Sequence, residues 1–248
     1  MRSERPDQRT RLTRRLGLVP RPAEVVERWL DETLPSQGAA ALDAGCGRLS
    51  HLRRFRPRIG RMVGVDIHER EEGLGWLDEF YAADVCVDEG RFDHETFDLA
   101  LSNFTVEHFA DPVAAFRIIG QWLRPKGWLV LTTVNRNHPF VDMYLSMPDP
   151  PRSRLQALIK RSAADAHPLV GICNTPELIR LALARTGYEQ IEVVTTDYLA
   201  HAWGGTLPTW VLGLMGDLAA HTFPSRRSTI VARARRPEQP SPPTGSST

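Results

Sequence analysis

Cysteine is scarce in this chain: three among 248 residues, far apart at positions 46, 86 and 173. An odd, scattered set with no Cys-x-x-Cys and no histidine at ligand spacing excludes a disulfide framework and a structural zinc site, and no metal is expected. Lysine is scarcer still, since Lys126 and Lys160 are the only two, so arginine carries nearly all the positive charge. No lysine follows the glycines at 45 and 47, which argues against a nucleoside triphosphatase loop. Nor does any segment reach the roughly 18 to 20 uninterrupted apolar residues of a membrane span. Thr13-Arg14-Arg15-Leu16-Gly17-Leu18 looks like the start of an export signal, but Pro20, Arg21 and Pro22 arrive before a long apolar stretch develops, so a cytoplasmic location is expected. A net charge of +1 gives no global pull toward nucleic acid or an anionic surface.

What the chain does have is enough apolar residue, 42%, for one sizeable core. A basic, mobile arm is expected over 1–21, one domain over 22–236 and a disordered tail rich in Pro, Ser, Thr and Gly over 237–248. The centre is Ala40-Ala41-Leu42-Asp43-Ala44-Gly45-Cys46-Gly47, a short apolar run that meets two closely spaced glycines, with helical spacing resuming at Leu49, Leu52 and Phe55 until Pro57. This reads as strand, tight loop and helix, with the helix N-terminus aimed at an anion or other small ligand. The arginines at 48, 53, 54, 56, 58 and 61 read as a solvated face, with a phosphate patch as the alternative.

Apolar runs then alternate with helical patterns. Strands are expected at 39–42, 62–66, 81–84, 97–103, 128–134, 191–196 and 228–234, and helices from Pro22, around 73–80, from Pro112 and from Pro176. Asp111 suits an N-cap with Pro112 at the first helical position. This alternation signals an α/β, doubly wound, mostly parallel seven-stranded Rossmann-like sheet with helices on both faces. Residues 136–174 and 199–225 interrupt the pattern and are expected to form lid or cap segments, the first an insertion after the fifth strand.

Three acids punctuate the strand ends: Asp43 before the glycines, Asp66 nineteen residues beyond Gly47, and Asp84 after the third strand. In a parallel sheet such ends converge on one edge, where one carboxylate accepts the hydroxyls of a ribose and another stands near a base. With these residues in order, the sequence resembles the class I S-adenosylmethionine-dependent methyltransferases, particularly the small-molecule group, over roughly 23–196. Leu42-Asp43-Ala44-Gly45-Cys46-Gly47 resembles the first motif, Val65-Asp66 with Ile67 the ribose site, Ala83-Asp84-Val85 the adenine site, and Phe97 to Asn103 the fourth strand. Val106-Glu107-His108-Phe109-Ala110-Asp111-Pro112 and Leu123-Arg124-Pro125-Lys126-Gly127-Trp128 are also typical. Leu49 stands where the family often has a third glycine.

The resemblance implies S-adenosylmethionine as cofactor, S-adenosylhomocysteine as product, and Asp43, Gly45, Cys46, Gly47, Asp66, Ile67, Asp84, Val85 and Asn103 as cofactor-binding residues. The acceptor is then a small organic molecule, methylated at O, N or C. His108, after the fourth strand, is a candidate base, and His138, after the fifth, a candidate acceptor-site residue, each with a structural role as the alternative. The Asn/Asp-Pro-Pro-Tyr signature of nucleobase amine methylation is absent, because the chain reads Ser102-Asn103-Phe104-Thr105. Two other readings remain: a nicotinamide-dependent oxidoreductase, for which Gly45-x-Gly47-x-x-Ser50 lacks the final glycine or alanine, and a nucleoside-binding regulator without catalysis. A monomer or homodimer is expected.

Overall fold

The central strands of this chain are apolar runs buried on both faces, while the edge strands Glu79–Ala82 and Glu189–Thr196 are more polar and partly exposed. The structure is a computed structural model that describes residues 12, 15, 16, 18, 21–47, 50–69, 74–148, 150–159 and 170–238. Most of the expected arm, the tail beyond 238 and the pair Arg48 and Leu49 lie outside those residues. Seven strands run β1 (Ala39–Ala44), β2 (Ile59–Asp66), β3 (Glu79–Ala82), β4 (Phe97–Asn103), β5 (Leu123–Val134), β6 (Glu189–Thr196) and β7 (Thr229–Arg235). Their order is β3-β2-β1-β4-β5-β7-β6, parallel throughout except β7, which is antiparallel to both its neighbours. The order reverses between β1 and β4, so a crevice opens beyond the carboxyl ends of those two strands.

Helices cover both faces because β1 alternates its side chains between two cores. Ala40, Leu42 and Ala44 face a cluster that includes Phe116, Ile119 and Trp122 of α2 (Pro112–Trp122). Ala39 and Ala41 face Val26, Trp29 and Leu30 of α1 (Pro22–Thr33). Asp111 caps α2 by accepting the Ala114 amide over 2.9 Å, as its sequence context anticipated. Beyond β5 come α3 (Pro139–Ser146), α4 (Pro151–Ile159) and α5 (Pro176–Arg185), and between β6 and β7 come α6 (Leu199–Ala202) and α7 (Leu207–His221). Val141, Ile159, Leu199 and Trp203 form a separate small core under this cap. There α6 and α7 meet closely: a Cβ on Gly213 would stand 2.8 Å from the Leu199 carbonyl oxygen.

Two sequence expectations give way and a third is supported. The segment after the glycine turn is a 3-10 helix, His51–Arg58, and Pro57 lies inside it. Leu52 is its one buried side chain, so it has no apolar stripe on which a longer α-helix could pack. The segment at 74–78 is a turn, with the Leu77 amide on the Leu74 carbonyl; Met62 N and Asp78 Oδ2 then meet at 2.7 Å, and β3 starts at Glu79, not 81. The arginines are mostly engaged in ion pairs: Arg54 with Glu27, Arg56 with Asp78, Arg58 with Asp31 and Arg61 with Glu79. That pairing supports a solvated face over a phosphate patch. No described helix is long and apolar enough to cross a membrane.

Candidate functional site

At the end of β1 the backbone turns sharply, with φ of +79° at Gly45 and +46° at Gly47. Only glycine fits the first position on space as well as angle, because a Cβ there would lie 2.2 Å from the Thr105 side chain. The turn folds back onto the end of β2. The Gly45 and Cys46 amides donate to the Val65 carbonyl over 2.7 and 3.2 Å, and the Gly47 amide donates to Asp66 Oδ2 over 3.1 Å. Ser50 Oγ takes the Leu52 amide at 3.1 Å. The expected anion cradle is therefore corrected: these donors already have acceptors within the protein, and among the described residues no α-helix starts at the turn.

Beside the turn lies a cavity of about 490 Å³, within the range of small-molecule sites. Gly45, Cys46, Gly47, Asp66, Ile67, Asp84, Val85 and Asn103, eight of the nine residues expected to hold a cofactor, all line it. Asp66 and Asp84 supply its carboxylates, and no lysine or arginine stands among the described lining residues. Asp84 is oriented by the Cys86 amide, which donates to its Oδ1 over 2.8 Å. Asn103 Oδ1 accepts from Thr132 Oγ1 at 2.7 Å, which aims the amide at the end of β4. The ninth, Asp43, does not line the cavity: it is buried in β1, and desolvation pushes its carboxyl up to about 7, against a hydrogen bond from Ser50 that favours the charged form.

His108 lines the cavity from a short 3-10 turn after β4. His138 does not. It caps α3, with Nδ1 accepting the Phe140 amide over 3.1 Å, and its burial lowers its pKa. The geometry is that of the capping alternative.

The sequence reading passed over Phe104, Thr105 and Val170, all of which line the cavity. Phe104 adopts a φ of +53°, sparsely populated for an aromatic residue, and its ring stacks on Tyr198 with centroids 5.3 Å apart. Tyr198 is held in turn: its amide donates to Ser228 Oγ at 2.8 Å, and Ser228 donates to the buried Asp217 at 3.0 Å. Val170 reaches the cavity because its amide and that of Gly171 donate to the Glu107 carbonyl over 2.9 and 3.0 Å. Buried Glu107 also accepts from Thr133 Oγ1, which accepts from Asn174. That chain of polar groups joins the loop after β4, the end of β5 and the end of 136–174, a long-range juxtaposition that no local motif signals.

The family described as "Methyltransferase domain" matches residues 15–193. A ubiquinone biosynthesis O-methyltransferase of Cereibacter sphaeroides is 34% identical over 122 residues, 45% of this chain and 47% of that protein. The chain thus spans about half the length of the curated relatives it matches. Among solved structures, phosphoethanolamine N-methyltransferase 2 of Haemonchus contortus, in complex with phosphomonomethylethanolamine and S-adenosylhomocysteine, superposes with a TM-score of 0.56 at 17% identity, over 86% of this chain and 52% of that one. The cyclase SpnF gives 0.55 at 18%, over 88% and 82%. A fold shared with a cyclase does not by itself fix the chemistry. The family match does settle lineage: the chain belongs to the methyltransferase domain family, with the class I S-adenosylmethionine-dependent methyltransferase fold.

Proposed function

We propose that the protein transfers the methyl group of S-adenosylmethionine to an oxygen of a small hydroxylated aromatic acceptor. The observation that carries this reading is the cavity itself: carboxylates at two successive strand ends, and backbone amides already committed within the protein. A pyrophosphate would meet carboxylates with no described cation to offset them, which disfavours a nicotinamide dinucleotide. A nucleoside sulfonium fits. Gly47 faces open space where a Cβ would project, leaving the backbone accessible to the methionine end. Asp66 is assigned to the ribose hydroxyls with Ile67 beside it, Asp84 and Val85 to the adenine, Cys46 and Asn103 to the middle of the cofactor, and Asp43 to support beneath the Gly45 turn.

The cofactor, when bound, supplies a methyl group already activated toward nucleophiles. What remains for the protein is to orient the acceptor, exclude water and remove a proton. His108 lines the cavity and is assigned as base: it would take the acceptor's hydroxyl proton as that oxygen gains the methyl group, which the sulfonium would supply while leaving as a neutral thioether. Phe104, stacked on Tyr198, offers an aromatic wall for a planar acceptor. The oxygen-methylating relatives support the choice of atom.

Incubation with isotopically methyl-labelled S-adenosylmethionine and a panel of catechols tests this. Label is expected in an ether of a hydroxylated ring and not in the same ring without hydroxyls. Absence of transfer to any hydroxylated aromatic would contradict the reading.

A further inference from the structure

On α7 the usual arrangement of a surface helix is inverted. Its exposed residues are apolar: Leu207, Val211, Met215 and Leu218 form one row at helical spacing, with Leu212 beside it. Leu207 and Met215 are 58% and 60% exposed. The helix has a single carboxylate, Asp217, and it faces inward at 1% exposure, where it accepts the Leu199 and Ala200 amides over 3.0 and 2.8 Å. Scattered exposed leucines need no explanation, but a continuous uncharged row does. Phe223, just past the helix, extends the row and lies under the Arg226 guanidinium at 5.7 Å.

Charge around the row indicates what covers it. From 198 to 228 the only carboxylate is the buried Asp217, while Arg226 is exposed and Arg227 half-buried. Neighbouring α4, joined to the start of α7 by the Gly205 amide on the Ile159 carbonyl at 3.0 Å, adds Arg152 and Arg154 and contains no acid. An apolar row with guanidinium groups on its own segment and on the neighbouring helix, and no exposed carboxylate among the described residues of either, complements anionic headgroups above acyl chains. A second copy would bring like charges to the same rim. We propose that α7 lies in the surface of an anionic bilayer, its Leu207, Val211, Met215 and Leu218 side chains among the acyl chains and Arg154 and Arg226 at the headgroups. This docking is independent of the cofactor assignment.

Cosedimentation of the full chain with extruded vesicles tests the proposal, using phosphatidylcholine alone and an equimolar mixture with phosphatidylglycerol. Binding is expected to the anionic vesicles, weakened by salt, and not to phosphatidylcholine alone. M215E is expected to reduce partitioning at least about tenfold and R226Q about fivefold, with far-ultraviolet circular dichroism and melting temperature unchanged. Failure to bind anionic vesicles, or M215E binding like the unmodified chain, overturns the proposal. So does a dimer in solution that M215E converts to monomer without vesicle binding, because the row is then a self-interface.

Discussion

The Gly47 amide donates to Asp66 Oδ2 over 3.1 Å while Oδ1 of the same carboxylate accepts the His68 amide over 3.0 Å. One side chain thus ties the glycine turn to the end of β2 and keeps its remaining lone pairs for a ligand in the cavity. Asp66→Ala removes both the tie and the acceptor. S-adenosylhomocysteine affinity is expected to fall by about 2 kcal/mol, roughly 30-fold, by isothermal titration calorimetry, with Asp66→Asn intermediate. Equal affinity in all three proteins would remove Asp66 from the site.

Tyr198 touches the cavity-lining Phe104 and does not itself line the cavity, so under the proposed function it bears on the acceptor through that ring. Tyr198→Ala is expected to raise KM for an aromatic acceptor about tenfold, the scale of one lost ring contact, without changing cofactor affinity. Tyr198→Phe keeps the ring and is expected to restore KM. A KM insensitive to the alanine change would show the stack to be structural only.

For His108, the split between binding and turnover is diagnostic. His108→Ala is expected to lower kcat by about 10²–10⁴ while S-adenosylhomocysteine affinity is retained. Turnover within a factor of about two of the unmodified enzyme would exclude it as base.

Stability should also report Asp43. With its folded pKa raised to about 7 by burial, the folded chain holds a proton that the unfolded chain releases near pH 4. Raising the pH between those values therefore destabilises the cofactor-free protein, by up to about 1.4 kcal/mol per pH unit from this one group, and the loss levels off above about 7. Denaturant melts of Asp43→Asn across pH 5 to 8 are expected to lack this component. Parallel pH slopes in the two proteins would show that Asp43 is ionised in the fold.

Asp217 holds α6 by two amides and Ser228 by its hydroxyl. Asp217→Ala leaves three buried donors without that acceptor, an expected cost of about 3 kcal/mol, or roughly 6–12 °C in Tm by calorimetry. A loss below about 1 kcal/mol would mean that water or rearrangement replaces the carboxylate.

The central strands were legible because they are apolar runs that end in an acid or a polar residue, as at Val65-Asp66 and Ser102-Asn103. The carboxylate side of the cavity was legible for the same reason, since carboxylates at parallel strand ends must share one edge. Three features were not. The arginine-rich stretch after Ser50 has helical spacing in Leu52 and Phe55, yet only Leu52 is fully buried and Phe55 packs partly against the same core, and spacing alone does not report that. His138 has the chemistry of a site residue, but its Nδ1 is spent on the Phe140 amide. Phe104 lines the cavity through a positive φ held by Thr132, whose hydroxyl oxygen and carbonyl both accept its amide, a contact 28 residues away in sequence.

The central claim is that the cavity beside Gly45 and Gly47 takes a sulfonium nucleoside and not a dinucleotide. Thermal denaturation with S-adenosylhomocysteine and with NAD at equal concentration measures this directly. At about a hundred times its dissociation constant a ligand adds roughly 2.7 kcal/mol to folding stability. The account predicts a clear rise in Tm with S-adenosylhomocysteine and none with NAD; a rise with NAD alone would contradict it.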